Sequence, residues 1–372
     1  MNRNNTLTVR LVLAAVLIAL GTFGCTKQQE NPSIKIGLDA SLSGALAFWG
    51  ESIQQGMQLA EEQYNAEHPD KPAKLISEDN QGDPKSSISA MRKLCSIDHV
   101  ACVVGVMTPF SKPLRPFAAE LKTPILGTVV VSLNFGAENE WSFRDYPTPD
   151  QLGSLVAEYA YKKLNLNRAV CLVVNDEYGK DSQTLFENRF KELGGQVLGS
   201  DTMAQSDTDA RNQITKLLAQ SPDCAYVVIR ENALATAVRQ FRELGFKGQF
   251  LGINSFDSPV VWQGVGEYGE GIIFTTALID YGGNPDAAAF AEAFKKRFSK
   301  EPNGTNAYGY SIGKYLFALA AKANGDPVKL RDLMASLDAD SIRGHIKMQP
   351  TRDVLTPVAV YQRKGGKNII LK

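Results

Sequence analysis

The chain has 372 residues, with 40 Lys and Arg set against 40 Asp and Glu, and 44% of its residues are hydrophobic. A charged fraction of 22% beside that apolar content excludes intrinsic disorder, and the charge balance speaks against nonspecific nucleic-acid binding. At about 150 residues per domain the length suggests two domains, and a chain this long buries about three quarters of its unfolded surface without needing a disulfide framework.

Residues 1–24 read as a removable segment. Arg3 and Arg10 form a basic region ahead of an apolar stretch from Leu11 to Leu20, and Gly24 places a small residue before Cys25. The stretch is too short and wrongly flanked for an ordinary transmembrane helix, so it reads as an export signal. It resembles a bacterial lipoprotein signal, in which Cys25 receives lipid and becomes the mature N-terminus; a plain secretory signal or an uncleaved anchor is the alternative. Residues 25–33 then form a polar tether. Four cysteines follow Cys25. Cys171 and Cys224 lie in apolar runs and are expected as buried thiols, while a bridge between Cys95 and Cys102 is left open. There is no Cys-x-x-Cys, and His68, His99 and His345 are scattered, so no metal and no cofactor is expected.

Beyond the tether, short apolar runs alternate with amphipathic segments. Strands are expected at 34–40, 74–79, 100–105, 124–131, 169–175, 196–201, 225–230, 249–254 and 271–278, and their continuous apolarity fits parallel strands covered on both faces. Between them, Ile53, Met57, Ala60 and Tyr64 form one helical stripe. Leu114, Phe117, Ala118 and Leu121 form a second, Phe186, Phe190 and Leu193 a third, and Leu234, Val238 and Phe241 a fourth. Gly194 and Gly245 stand where C-terminal caps are expected. The segment 142–150 (SFRDYPTPD) breaks the rhythm and suits a crossing between two lobes. Four strands then build lobe one and five build lobe two. Helices expected at 287–298, 312–322 and 330–337, with no strands between them, return to lobe one. The fold class is α/β, two lobes each built on a parallel sheet wound by helices.

In parallel sheets, ligands bind beyond the carboxyl ends of the strands. Those positions hold residues 39–44, 79–80, 106–111 and 130–132 in lobe one, and 176–178, 230–231 and 254–255 in lobe two. Hydroxyls, amides and one guanidinium accumulate there, with Phe48, Trp49, Phe110 and Tyr178 as apolar walls. For Ser43, Ser111, Asp39 and Asp79 the plainer alternative is helix capping or loop bonding. Catalytic motifs are missing from the sequence. The glycines at 264, 266 and 269 match G-x-G-x-x-G but precede a strand, the wrong order for a dinucleotide fingerprint. No G-x-S-x-G or Walker loop occurs.

With these residues in view, the chain resembles the periplasmic solute-binding proteins of branched-chain amino acid ABC transporters, the leucine/isoleucine/valine-binding class. The resemblance runs from about Ile34 to the C-terminus. It rests on the Ser43-Gly44 turn with Gly50, Gly56 and Asn65, then on SEDNQGDP (77–84), VVGVMTPFS (103–111), SFRDYPTPDQLG (142–153), NDEYGKD (175–181) and QFRELGFKGQFLG (240–252). It implies a type I periplasmic-binding-protein fold hinged at chain crossings. Residues 34–145 would form lobe one and 146–277 lobe two; 278–345 would return to lobe one, and 346–372 to lobe two. It implies a non-enzymatic, monomeric binder that closes over an amino acid and delivers it to an ABC permease and ATPase complex. The ligand carboxylate would meet Thr108 or Ser111, and the ammonium the Val130 carbonyl and the Ser132 hydroxyl. Trp49 and Tyr178 would supply walls. Two positions depart from the class: its acidic ammonium partner stands here as Asn254, and a neighbouring aromatic position as Arg230. Its disulfide lacks the first cysteine. Asn254 and Arg230 push the expected ligand toward an amino acid with an extra acidic group, or a carboxylate lacking the amine. The alternative is that Arg230 pairs with Glu231, Asp257 or Asp280 and one of these acids takes the ammonium. A ligand-sensing protein of the same fold, reporting to a receptor or kinase, is the second functional reading, and a Rossmann-type enzyme the third.

Overall fold

The computed structural model describes residues 34–137, 139–279 and 283–371, so Cys25, the export segment and Asp280 lie outside the described residues. The first sheet is formed by β1 (Ile34–Ala40), β2 (Ala73–Asp79), β3 (Val103–Val106), β4 (Ile125–Thr128) and β5 (Ser142–Arg144), in the order β2-β1-β3-β4-β5. All four pairings are parallel, with Ile34 opposite Ala73 and Gly37 opposite Val103. Every residue of β3 and β4 is buried, as continuous apolar runs covered on both faces require. β5 adds a strand at the start of the segment read from sequence as a crossing; three residues are too few to show a period.

The second sheet contains β6 (Arg168–Val174), β7 (Gln196–Met203), β8 (Cys224–Val228), β9 (Gln249–Gly252) and β10 (Ile273–Ala277), and is completed from the far end of the chain. There β11 (Asp338–Ser341), β12 (Gly344–Met348) and β13 (Val354–Leu355) form a small antiparallel sheet, and β14 (Val358–Lys364) and β15 (Lys367–Leu371) form a hairpin. The hairpin docks antiparallel on β10, giving the order β15-β14-β10-β9-β8-β6-β7. The expectation of a wholly parallel sheet in each lobe therefore holds for the first and is corrected for the second, whose one margin is an antiparallel hairpin. The glycine motif at 264–269 forms a short turn before β10, away from any strand-to-helix junction.

Helices α1 (Ala47–Glu67), α2 (Pro84–Ser96), α3 (Pro149–Glu158), α4 (Glu177–Glu192), α5 (Arg211–Leu218) and α6 (Glu231–Glu243) follow strands in turn. The last three are α7 (Pro285–Phe298), α8 (Gly304–Lys322) and α9 (Pro327–Ala335). These three begin earlier than the apolar stripes suggest, because Asn284, Asn303 and Asp326 accept hydrogen bonds from the first-turn amides and set the starts. α8 lies along α1 with its backbone in near contact. A Cβ at Gly56 would stand 2.2 Å from the Asn306 carbonyl oxygen, and one at Gly309 2.3 Å from that of Ile53. Only glycine permits that approach. Cys95, Cys102, Cys171 and Cys224 are free thiols, and burial pushes Cys95 up to about 11 and Cys224 to about 12, which leaves little reactive thiolate.

Where the chain leaves the first sheet, two consecutive charges are buried. Arg343 donates from Nη1 and Nη2 to the two carboxylate oxygens of Asp145, each at 2.7 Å, and both side chains are 0% exposed. The Tyr315 hydroxyl donates to Asp145 Oδ2 at 2.8 Å, and the Arg343 guanidinium lies 4.3 Å from the Tyr308 ring centre. Arg144 donates from Nε to Asp353 at 2.8 Å and from Nη1 to the Ser132 carbonyl at 2.6 Å. The crossing after β5 is thereby tied to the segment that leads back to β14. Removing one partner of a buried pair strands the other charge, at a cost of about 3–5 kcal/mol. Asp145→Asn or Arg343→Met alone should lower the unfolding free energy by about that much in denaturant titration, while Asp145→Leu combined with Arg343→Met should regain a large part of it.

Candidate functional site

The carboxyl ends of both sheets carry loops whose backbone is held in unusual conformations. After β3, Met107 has φ 72° and ψ 146°, a region in which almost only glycine is found; after β4, Val129 has φ 55°, and after β8, Glu231 has φ 50°. Each costs about 1–3 kcal/mol and persists because its surroundings hold it. Met107 donates to the Thr128 carbonyl at 3.0 Å, and its own carbonyl accepts from Ser111 at 3.0 Å. Such strain concentrates where a fold positions groups for function.

On the first-sheet side, Trp49 occupies the first turn of α1 and is 2% exposed. Thr108 Oγ1 donates to the Val131 carbonyl at 3.2 Å and accepts from the Val131 N–H at 3.0 Å, so its hydroxyl is engaged in both directions. On the second-sheet side, Asp176 caps α4 by accepting from the Gly179 N–H at 3.1 Å, and its other oxygen accepts from Arg230 Nη1 at 2.7 Å. The Arg230 guanidinium lies 4.2 Å from the Tyr178 ring centre, within cation–π range. The Tyr178 hydroxyl donates to Asn254 Oδ1 at 3.2 Å, and burial pushes the phenol up to about 12. The described partner of Arg230 is thus Asp176, not the Glu231 or Asp257 of the alternative reading, while Asp280 lies outside the described residues. Glu231 instead accepts from Trp49 Nε1 and from the Ser258 hydroxyl, both at 2.6 Å, and burial raises its carboxyl above the usual range. Asp257 accepts from Thr276.

Trp49, Thr108, Tyr178, Arg230 and Asn254 converge on one cavity, completed by Met107, Val129 and Ser255, with about 10 Å3 of space, room for about one water. Ser111, Val130 and Ser132 do not line it. Ser111 is fully buried, its hydroxyl 2.8 Å from where a Cβ on Gly105 would stand, and the Ser132 carbonyl is used by Arg144. Outside lies a wider cavity of about 360 Å3, between Ser43, Leu46 and Gln81 of the first side and Gln205, Asp207 and Asn232 of the second. Trp49 lines the inner cavity and Glu231 the outer one, so their hydrogen bond forms the partition. Two further contacts span the cleft: Lys112 pairs with Glu177, and the Leu133 N–H donates to Asp181 Oδ2 at 2.8 Å. Met107 and Val129 escape a residue-by-residue reading, because neither is a residue type that announces positive φ. Asp79 takes the plainer role, accepting from the Leu42 and Gln81 amides and from the Ser43 hydroxyl.

A family model described as periplasmic binding protein matches residues 33–367. The Leu/Ile/Val-binding protein BraC3 of Rhizobium johnstonii is 27% identical over 306 residues, covering 80% of this chain and 81% of that protein. Among solved structures, a leucine-binding protein from Thermotoga maritima superposes with a TM-score of 0.84 at 25% identity, covering 91% of this chain and 98% of that one. The solute-binding protein of an ABC transporter from Rhodopseudomonas palustris, solved with 3,4-dihydroxybenzoic acid, superposes at 0.80 with 20% identity, covering 91% and 96%. That last likeness shows the shared fold alone.

Behind the cleft, Asp39, the penultimate residue of β1, is 0% exposed and accepts from Asn80 Nδ2 at 3.0 Å; burial pushes its carboxyl up to about 7. A carboxyl whose folded pKa lies above its unfolded value stabilises most fully below about pH 4, and that contribution is lost as pH rises through about 7. Asp39→Asn, which cannot ionise, should gain stability over the wild type between pH 4 and pH 8, by at most about 4 kcal/mol at 1.36 kcal/mol per pH unit. Denaturant titrations at the two pH values measure it; an equal difference at both would show that Asp39 does not titrate in this range.

Proposed function

Because the chain belongs to the periplasmic binding protein family, we propose that it captures a small amino acid or related carboxylate between its two lobes and delivers it to an ABC importer. The observation that carries this reading is the convergence of side chains from both sheets on one enclosed cavity, with the Trp49–Glu231 hydrogen bond across its edge. A cavity of about 10 Å3 is too small for any amino acid, so the lobes part for a ligand to enter and close over it. The ligand then biases the hinge by its greater affinity for the closed arrangement. Trp49 to Glu231, Lys112 to Glu177 and the Leu133 amide to Asp181 are the contacts that form and break in this motion. Delivery needs both states, since a permease must be able to open what the ligand has closed.

A thermal-shift screen of amino acids and short carboxylates should return at least one compound that raises the unfolding temperature, since binding to the native state alone stabilises it by mass action. A screen without a hit sinks the reading. Trp49→Phe keeps the ring and removes the N–H, and a hydrogen bond to a charged group contributes about 1.5–3 kcal/mol. Calorimetry on such a hit should therefore show binding at least about 10-fold weaker in that variant; unchanged affinity would remove this bond from the closing motion.

We further propose that Cys25 is lipidated, so that a monomer works outside the cytoplasm, held at the membrane near the permease and ATPase. The mature wild-type protein should carry acyl chains by intact mass and partition into detergent. Cys25→Ala should lose the acyl mass. A wild-type mass with no acyl chain removes the anchor from the reading.

A further inference from the structure

Among the described residues that line the inner cavity, Arg230 alone carries a formal charge. The carboxylates that could pair with a ligand ammonium are already held. Asp176 is shared between Arg230 and the Gly179 amide, and Glu231 between Trp49 and Ser258. Of the neutral acceptors, the Thr108 hydroxyl is engaged by the Val131 backbone and Asn254 Oδ1 by the Tyr178 phenol, which leaves the Ser255 hydroxyl as an uncharged group that a ligand could use. Arg230 is differently placed. It is 6% exposed, and its bond to Asp176 uses one of five N–H donors. Its guanidinium is held by that bond on one side and by the Tyr178 face beneath, so its orientation is set before a ligand arrives.

Resting on the reading of this cleft as the binding site, we propose that Arg230 selects the substrate class. The protein takes small organic carboxylates, reads the carboxylate from the second lobe, and gains nothing from an α-ammonium. A carboxylate arriving at Arg230 makes charge-assisted bonds with a pre-oriented fork, whereas an ammonium arriving there meets like charge in a nearly closed cavity. The Arg230–Asp176 pair is electrically neutral as a unit, but the cation is the member that faces the cavity.

The test is calorimetry on matched pairs that differ in the amine alone: leucine against 4-methylpentanoate, phenylalanine against 3-phenylpropanoate, and glutamate against glutarate. In each pair that binds, the deaminated member should bind at least as tightly. Arg230→Gln should weaken that member 10-fold or more, while Arg230→Lys, which keeps the charge, should retain much of its binding. The pairs are compared on the wild-type protein, so the outcome does not depend on a variant folding. An amino-acid member that binds 10-fold tighter than its deaminated partner and survives Arg230→Gln overturns the inference and leaves the solute-binding reading standing. No binding by any member of the three pairs overturns the inference as well, while the solute-binding reading is decided separately by the thermal-shift screen.

Discussion

The structure turns on a carboxylate and a guanidinium with no water around them. Asp145 ends the first passage of the chain out of the first sheet, and Arg343 sits in the turn between β11 and β12, on the chain's way back to the second sheet. Their pairing is bidentate, and the Tyr315 hydroxyl supplies a further donor to the carboxylate. An apolar pair of the same volume would hold these segments together as well or better. It would not hold them at one angle. A fork on a carboxylate allows little rotation, and the neighbouring Arg144–Asp353 pair fixes a second point along the same line. Together the two pairs bond the outward crossing to the returning segment at two points.

The first-sheet side of the cleft is bonded to that crossing. Asp145 donates its backbone N–H to the Gly127 carbonyl and accepts from the Thr128 hydroxyl, so the end of β4 is bonded to the crossing itself. Val129 follows directly, in a backbone conformation that a β-branched residue avoids. The strain at Val129, and at Met107 bonded to Thr128, therefore sits between the clamp and the cavity. Freed from these bonds, the loops would relax, and the walls of the cavity would move with them.

Much of this is written in the sequence in a form that elementary rules can read. Continuous apolar runs located β1, β3, β4, β6 and β8, because a strand buried on both faces has no polar side to hide. The strand-end rule led to Trp49, Thr108, Tyr178, Arg230 and Asn254, since sheet topology alone determines where loops from two lobes meet. Other features were silent for physical reasons. β5 has three residues and β11 reads DADS, with no apolar alternation to detect. The pairing of Arg230 with Asp176 joins the loops after β8 and β6, and which of several nearby acids an arginine reaches is decided by packing, not spacing. Ser111 and Ser132 stand behind the small cavity and do not line it, and each keeps a buried hydroxyl with no partner among the described residues.

The glycine contact between α1 and α8 has a temporal side. Ser52 and Asn306, hydrogen-bonded across it, are 254 residues apart in the chain. The parallel core of the second sheet, β6 to β10, is continuous in sequence and can assemble from local strand–helix–strand units. The first sheet obtains its outer helix only after those units have been made, because the partner of α1 arrives near the end of the chain. Contacts of such high sequence separation form slowly. Docking of α8 on α1 is therefore expected among the slow steps of folding.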